Sequence, residues 1–251
     1  MKKQYKSKKF IILSIIRMLF FVLLIVSAFY IIKWYISNEQ NRIVQEKVSE
    51  AISIGNVETE LGIDSNYNVD FTKLKEINKD VVAWLKVNGT NIEYAVVKTN
   101  NNNYYLNHNF ENKQNGAGWI FADYKNKLDG TDKNIVIYGH NMRDSSMFGT
   151  LKNILEEEWY NNEENYVINF VTEKEEQKYQ VFSVYQIKNE DYYIDTEFKN
   201  NEFKEVIDEL KNRSVKEFDV EILDEDTILT LSTCANNNKY RVVLHAKMIN
   251  I

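Results

Sequence analysis

The feature that most constrains this chain is a long apolar run near its N-terminus, residues 10–32. Its polar members are Ser14, Arg17, Ser27 and Tyr30. As an α-helix the run would extend roughly 34 Å, which is enough to cross a bilayer core of about 30 Å. The sequence therefore predicts a transmembrane helix joined to a separately folded body.

Charge around this run predicts its orientation. Residues 1–34 contain Lys and Arg but no Asp or Glu. By the positive-inside rule, the basic tail 1–9 stays in the cytoplasm and the body faces outward. A cleaved signal peptide is the alternative, but its apolar core would be shorter and small residues would follow it, whereas Trp34 and Tyr35 follow here. We expect an uncleaved signal-anchor and a single-pass protein of the cell membrane.

The charge balance of the body bears on its partners. The chain has 31 Lys and Arg against 37 Asp and Glu, a net charge of −6. Because the N-terminal segment is basic, the remainder is more acidic than this total suggests. An acidic surface argues against nucleic acid as a partner, since phosphate binding needs cations.

Periodicity predicts a mainly β body behind a helical stalk. Residues 38–60 have helical spacing, 55–68 resemble a loop, and we expect domain boundaries at 33–70 for the stalk and 71–251 for the folded domain. Short amphipathic helices are predicted at 147–155 and 201–211. About eight short strands follow residue 80, which favours a closed or nearly closed β-barrel with a helix inserted before the last two strands. These strands are predicted at 82–87, 91–99, 119–123, 134–138, 166–172, 179–187, 227–233 and 240–248.

The only cysteine, Cys234, stands at the end of a predicted strand. It has no partner for an internal disulfide, so it is an intermolecular link, a buried structural residue or a reactive thiol. Arg241 begins the next predicted strand, and antiparallel pairing would bring it near Cys234. A guanidinium there favours the thiolate and can bond an oxyanion, although a surface salt bridge is the alternative for Arg241.

Cysteine acyl chemistry also needs an acid/base, and histidine suits this role best. His140 follows a compact apolar strand, directly after Gly139. His245 lies within the last strand, roughly 13 Å further from the loop at 3.3 Å per residue, and His108 lies in a polar segment. His140 is therefore the best candidate. One cysteine and scattered histidines offer no metal-ligand spacing, so we expect no metal and no cofactor.

Several motifs resemble those of one known family. Residues 230–234 read Thr-Leu-Ser-Thr-Cys, and 241–247 continue with Arg-Val-Val, then Ala-Lys. Residues 138–149 contain Tyr-Gly-His-Asn-Met and Ser-Met-Phe-Gly. These segments resemble the cysteine and histidine signatures of sortases, the cysteine transpeptidases of Gram-positive bacteria. The histidine segment, 138–149, resembles that of class B sortases in particular. Further similarity lies in 84–87, 104–106 and 120–124, so the resemblance covers about 71–249.

The resemblance implies a fold and a reaction. It implies a sortase-like eight-stranded β-barrel with N-terminal helices, which recognises a C-terminal sorting motif of the Asn-Pro-x-Thr-Asn type on secreted proteins. Cys234 would attack the carbonyl after the motif Thr and form a thioester. His140 would protonate the departing amine and deprotonate the incoming one, and Arg241 would hold substrate and oxyanion. The incoming amine would belong to peptidoglycan or a lipid-linked precursor.

The resemblance also implies a substrate groove, and ordinary packing is the alternative for each of its residues. By matching position, these residues are Asn102, Leu106, Tyr193, Ile194 and Ser232. Thr233 joins them because its hydroxyl, like that of Ser232, could bond substrate or backbone.

The chain departs from the family pattern in places. Ala95 stands where proline is frequent, and Ala235 and Asn236 stand where an acid often follows the cysteine. The loop from Cys234 to Arg241 is shorter than in many class B members. These departures leave the nucleophile, the acid/base and the cation in place, so they bear on substrate details.

Two other functions stay open at this point. A thiol hydrolase would use the same three residues and pass the acyl group to water. A membrane-anchored surface interaction module would leave Cys234 inert. The sequence alone does not separate them.

Overall fold

The computed structural model describes residues 2–59, 62–188, 190–199, 202–234 and 240–249, and it leaves the side chains of 2–8, 56–59, 62–66 and Cys234 undescribed. The chain forms two compact units, Met1–Arg42 and Ile43–Ile251. The first unit belongs to helix α1, Lys2–Ser49. By length and composition, this helix is apolar enough to cross a membrane. Its large apolar side chains from Phe10 to Ile36 are exposed rather than packed.

The start of the second unit differs from the sequence prediction. The end of α1 buries Val44 and Val48 in the core, and the helix stops at Ser49. Strands β1 (Ile52–Thr59) and β2 (Gly62–Val69) then pair as an antiparallel hairpin. The predicted loop at 55–68 is therefore wrong, and the helical stretch predicted at 38–60 is wrong beyond Ser49, since 52–59 form a strand. Its polar, Asn-rich composition carries little strand signal, and the pairing between the two arms creates the regular structure.

Helix α2, Phe71–Ile77, leads into the barrel. The Asp70 side chain caps it by accepting a hydrogen bond from the Lys73 amide at 3.0 Å. Such a cap satisfies one of the first N–H groups that a helix leaves without partners. Phe71 and Leu74 are buried, so α2 packs on the body as a short amphipathic helix.

Eight of the described strands close into a barrel, in the order β10-β8-β7-β3-β4-β5-β6-β9. The closed eight-stranded barrel predicted from sequence is confirmed. The strands are β3 (Val81–Val87), β4 (Glu93–Val97), β5 (Phe121–Ala122), β6 (Asn134–His140), β7 (Val167–Thr172), β8 (Glu176–Lys188), β9 (Ile228–Cys234) and β10 (Tyr240–Ile249). Strand β3 is mostly buried along its length, with Trp84 and Leu85 fully covered.

The connections are short helices. Helix α3 spans Glu157–Tyr160, and α4 spans Glu202–Arg213, directly before β9 and β10 as predicted. Acidic residues in the first turn of α4 and basic residues in its last turn complement the helix dipole. The helix predicted at 147–155 is a 3-10 helix limited to Leu151–Leu155, although its apolar face is buried through Leu151 and Ile154. Further 3-10 helices span Tyr104–Leu106, Glu163–Tyr166 and Tyr192–Ile194.

Strand direction brings three chain segments to one end of the barrel. Strands β6 and β9 run parallel, so both end on the same side. Strand β10 is antiparallel to β9 and therefore begins there. This end, formed by the last residues of β6 and β9 and the first residues of β10, is called the rim below.

Candidate active site

The rim brings two of the predicted residues together through the sheet register. In the parallel pairing of β6 and β9, His140 is the Cα partner of Cys234. Neighbouring strands lie about 4.8 Å apart, so these two backbones are adjacent although 94 positions separate them in the numbering. The thiol of Cys234 and the loop 235–239 lie outside the described residues. The backbone alone sets His140 beside the cysteine.

Arg241 reaches the same end from the other side of β9. The ladder between β9 and β10 ends, on the rim side, at the pair Ser232 and Val243. One step further, the Thr233 hydroxyl accepts a hydrogen bond from the Val242 amide at 2.9 Å, which continues the contact between the two strands. Extended by one more residue, the same register would set Arg241 across from Cys234. Arg241 is half-buried, and it also interacts with other residues of the chain.

The His140 ring is oriented by a carbonyl. Its Nε2 lies 2.7 Å from the carbonyl oxygen of Leu106. A carbonyl accepts only, so Nε2 carries the proton and donates. Among the described residues, the buried Nδ1 atom has no hydrogen-bond partner. In the neutral ring, Nδ1 is therefore the atom that can accept a proton.

The backbone of His140 is fixed by the turn that follows it. The His140 carbonyl accepts hydrogen bonds from the amides of Met142 at 3.1 Å and Phe148 at 3.0 Å. Before it, a side chain at Gly139 would meet the Ile120 side chain at 2.5 Å and the Phe148 ring at 2.7 Å. A side chain at this position would force Ile120 or Phe148 to shift, because real Cβ atoms essentially never come within 3.0 Å of a non-bonded heavy atom. This packing aims the histidine from the strand end.

The Leu106 carbonyl is itself held in place. It belongs to the 3-10 helix Tyr104–Leu106, where the Tyr105 carbonyl accepts from the Trp119 amide at 2.9 Å. The Tyr105 side chain is buried and bonds Asn78 and Asp80, both at 2.8 Å. Burial raises the pKa of Tyr105 well above its usual range. Its hydroxyl therefore stays protonated and keeps the turn anchored.

Asn102 lies in the loop before this turn. Its amide Nδ2 donates to Asp123 at 2.8 Å, and its Oδ1 accepts from the Tyr124 amide at 2.9 Å. The buried Asp123 carboxylate also accepts from the Tyr138 hydroxyl at 2.9 Å. Asn102 and Leu106 are both half-buried, so each keeps part of its surface open.

The other predicted groove residues lie on β9 and on the 3-10 helix Tyr192–Ile194. The Tyr193 hydroxyl bonds the Ser232 hydroxyl at 3.0 Å, and both side chains are buried. Thr233 is buried as well, with its hydroxyl on the β10 backbone. Ile194 is half-buried. The sequence predicted that the Ser232 and Thr233 hydroxyls bond either substrate or backbone. In the structure both hydroxyls bond within the protein, Ser232 to the Tyr193 side chain and Thr233 to the β10 backbone.

The remaining histidines lie elsewhere. His245 is fully buried, opposite Thr230 on β9, four residues before the cysteine. His108 stacks on the Tyr104 ring at 4.1 Å and bonds the Tyr104 carbonyl through Nδ1 at 2.8 Å. Neither is the register partner of Cys234, so the structure pairs only His140, among the histidines, with the cysteine strand end.

Sequence reasoning missed the polar supports of the site. The Leu106 carbonyl, the Asn78 and Asp80 anchors of Tyr105, and Asn134 beneath the 3-10 helix Tyr192–Ile194 were not singled out. Their partners lie tens of residues away in the sequence. A buried-looking Asn at the first position of an apolar strand was the one available signal, at Asn134.

Taken together, the rim holds the strand end that carries Cys234, an imidazole with one nitrogen unpartnered among the described residues, and the strand start that carries Arg241. Such a set can form and break an acyl–sulfur bond: the cation favours thiolate and oxyanion, and the imidazole moves the proton of an amine.

Comparison with known proteins gives consistent similarities. A family model described as the sortase domain matches residues 85–249. Sortase B of Staphylococcus aureus (strain NCTC 8325 / PS 47) is 33% identical over 250 residues, which cover 98% of this chain and 99% of that protein. A solved Staphylococcus aureus sortase B–substrate complex is 36% identical, with a TM-score of 0.68 over 72% of this chain and 85% of that one. A sortase B crystal structure complexed with triglycine is 36% identical, with a TM-score of 0.68 over 72% and 86%.

Proposed function

From the premise that this chain belongs to the sortase family, as a class B cysteine transpeptidase, we propose its reaction. The enzyme cleaves a C-terminal sorting motif of the Asn-Pro-x-Thr-Asn type after Thr, through a thioester. It then transfers the secreted protein to an amine of peptidoglycan or of a lipid-linked precursor. A relative solved as a substrate complex and another complexed with triglycine support a peptide donor and an amine acceptor.

The observation that carries this proposal is the register at the rim. It makes His140 the neighbour of Cys234 on one side, and on the other side the β9–β10 contact reaches Val242, the residue after Arg241. Three groups needed for acyl transfer thus come to one strand end from three different strands.

In the first half of the reaction, the Cys234 thiol first gives its proton to Nδ1 of His140, and the resulting thiolate attacks the carbonyl of the motif Thr. The C–S bond forms, and Arg241 stabilises the negative oxygen of the tetrahedral intermediate. The C–N bond then breaks, and the leaving amine takes a proton from His140. Because Nε2 stays bonded to the Leu106 carbonyl, the transferred proton is the one on Nδ1.

In the second half, the incoming amine attacks the thioester. Its proton moves to the now neutral Nδ1 of His140, the new C–N bond forms and the C–S bond breaks. The thiolate and the imidazolium are regenerated, so the cycle needs no cofactor. Orientation by a fixed carbonyl keeps the same nitrogen in use for both steps.

The groove is proposed to run beside the rim. Leu106 and Ile194 are half-buried apolar residues that a bound peptide can cover, and Asn102 offers a polar contact. The buried Tyr193, Ser232 and Thr233 shape the groove from beneath through their mutual and backbone hydrogen bonds.

The proposed location is the outer face of the cell membrane. Helix α1 would act as a signal-anchor through residues 10–32, with the basic tail 1–9 in the cytoplasm. The catalytic domain, 71–251, would then face the extracellular side, where its secreted substrates and the cell wall are found.

The test is product analysis with and without an amine. Full-length protein in detergent micelles is incubated with a peptide containing an Asn-Pro-x-Thr-Asn motif, and the products are identified by mass spectrometry. We expect cleavage after Thr and, with triglycine present, a Thr–triglycine product. Cleavage that gives the same products with and without triglycine would identify a hydrolase instead. An absence of cleavage across a library of motif peptides would favour a non-catalytic surface module.

A further inference from the structure

A fully buried asparagine holds the segment that carries Tyr193 and Ile194. Asn134, the first residue of β6, has no exposed surface. Its Nδ2 lies 3.2 Å from the Tyr193 carbonyl and 2.9 Å from the Asp195 carbonyl. Both partners are acceptors, so both amide protons are used and the orientation of the amide is fixed.

This orientation sets the order of a longer chain of hydrogen bonds. With Nδ2 engaged, Oδ1 of Asn134 must accept, and the Thr230 hydroxyl donates to it at 2.7 Å. A hydroxyl has one proton, so the Thr230 oxygen accepts from Nδ1 of His245 at 2.8 Å. The neutral His245 ring then accepts at Nε2, and the Tyr185 hydroxyl donates there at 2.9 Å. Each group in this chain of hydrogen bonds therefore has one possible assignment as donor or acceptor.

Burial keeps the chain in this order. Thr230 and His245 have no exposed surface, and Tyr185 has 2%. Burial lowers the pKa of His245 to about 3, so the ring stays neutral and Nε2 remains an acceptor over the working range. The His245 ring therefore keeps Thr230 donating toward Asn134.

The clamped segment touches both the network and the cysteine strand. The Tyr193 ring packs edge-on against the rings of Tyr185 and His245, with centroids 6.4 Å and 6.1 Å away. Its hydroxyl bonds Ser232, two residues before Cys234. The main chain of the segment is thus held by Asn134 and its side chain by β9, so one wall of the proposed groove depends on Asn134.

We propose that Asn134 is a positioning residue for the peptide substrate, which clamps the 193–195 backbone against the barrel and is held in its donating orientation by Thr230 and His245. This rests on the proposed function, because it takes Tyr193 and Ile194 as part of the groove. Asn134 lies at the opposite end of β6 from His140 and acts on peptide binding rather than on the reacting atoms.

The experiment compares four variants of the full-length protein. Asn134→Asp keeps the shape but replaces the amide donors, and Thr230→Val removes the hydroxyl that orients them, while Thr230→Ser retains it. Asn165→Asp is the control, because Asn165 is another buried asparagine whose Nδ2 donates to a carbonyl, that of Trp159 at 2.9 Å, in the 3-10 helix before β7. Steady-state constants for the sorting peptide and the rate of Cys234 alkylation by a small reagent are measured.

We expect Asn134→Asp to raise KM at least about 10-fold while kcat and the alkylation rate stay within about 3-fold of the wild type. Thr230→Val should raise KM less, and Thr230→Ser should restore it to within about 2-fold. Asn165→Asp should lower the melting temperature without changing KM. An unchanged KM in Asn134→Asp and Thr230→Val, or an equal rise in Asn165→Asp, overturns the proposal.

A second readout separates this inference from the proposed function. Hydrogen exchange at the amides of 192–195 should accelerate at least about 10-fold in Asn134→Asp, whether or not a peptide is cleaved. If the wild type cleaves no sorting peptide, the proposed function fails while this measurement still tests the clamp. Unchanged exchange in that variant overturns the clamp, whatever the activity.

Discussion

His140 and His245 lie in neighbouring parts of the same barrel and have opposite environments. His140 stands half-buried at the rim and donates through Nε2 to the Leu106 carbonyl, with Nδ1 open among the described residues. His245 is fully buried, donates through Nδ1 to Thr230 and accepts at Nε2 from Tyr185. In their neutral forms the two rings therefore hold opposite tautomers. One has a nitrogen without a partner among the described residues, and the other has both nitrogens committed.

The difference shows that partners decide what a histidine does. A carbonyl at one nitrogen forces that nitrogen to donate and leaves the other for proton transfer. Two hydroxyl partners in a buried site use both nitrogens and keep the ring neutral. His245 is thus a structural group, although it lies on the same strand as Arg241 and only four residues from it.

The largest effect is expected from removing the open nitrogen. His140→Ala should lower kcat/KM by about 10²–10⁴-fold, because the acid/base is lost. His245→Gln should change kcat by less than about 3-fold. Both are measured with a fluorogenic sorting peptide. If His245→Gln lost kcat as severely as His140→Ala, the contrast between the two rings would be broken.

The next effect concerns pH and stability. The folded state binds no proton at His245 until pH falls to about 3, whereas the unfolded chain binds one near pH 6.5. His245 therefore contributes stability that is full above pH 6.5 and is lost as pH falls toward 3. Between pH 6 and 4 this amounts to about 1.4 kcal/mol of unfolding free energy per pH unit.

The measurement is urea unfolding at several pH values, with His245→Gln as the comparison. The variant should be less stable at neutral pH. The slope of its unfolding free energy against pH should be smaller, by the amount that corresponds to about one proton. Parallel curves for the two proteins would show that His245 is protonated in the folded state and would contradict its assigned role.

A smaller effect is expected at the glycine that aims His140. Gly139→Ala places a Cβ against Ile120 and Phe148, and such overpacking costs about 1–3 kcal/mol. Because the strand end shifts, the rate of peptide cleavage should fall as well. The fall should be larger than the fraction of protein unfolded at 25 °C accounts for. Calorimetry and peptide cleavage measure the two. Gly116→Ala is the control, since a Cβ there meets no atom of the described residues within 4 Å.

The smallest expected effect tests the acceptor side of His245. Tyr185→Phe removes the hydroxyl that donates to Nε2 and should cost about 1–2 kcal/mol, because a buried acceptor loses its partner. Tyr179→Phe is the matched control: that hydroxyl donates to the Gln177 side chain, which can turn to water. Its cost in chemical denaturation should be lower. An equal loss of unfolding free energy in the two variants would mean that the hydrogen bond from Tyr185 to His245 contributes no additional stability.

The sequence was sufficient for what local pattern encodes. Alternating apolar runs predicted the barrel strands, and the apolar face of α4 predicted that helix. It failed at 55–68, where two arms form β1 and β2 by pairing with each other. It also failed at 147–155, where the apolar spacing was right but the helix is a short 3-10 turn.

The site was predictable only in part for the same reason. Cys234 and Arg241 stand out because a short loop separates two adjacent strands. The bonds from His140 to Leu106 and from Asn134 to Tyr193 cross 34 and 59 positions of sequence. Such partners leave no local trace, because the closed barrel brings them together only after the strands have paired.

The most direct test of the account is to trap the acyl-enzyme. Full-length protein is mixed with an Asn-Pro-x-Thr-Asn peptide without an amine, quenched in acid and analysed by intact-mass and peptide mass spectrometry. We predict an adduct with the mass of the Asn-Pro-x-Thr acyl part on the peptide containing Cys234, the only cysteine. Adding triglycine before the quench should remove it and yield the Thr–triglycine product. Peptide cleavage without an adduct, or an adduct on another residue, would contradict the assignment of Cys234 as the transpeptidase nucleophile.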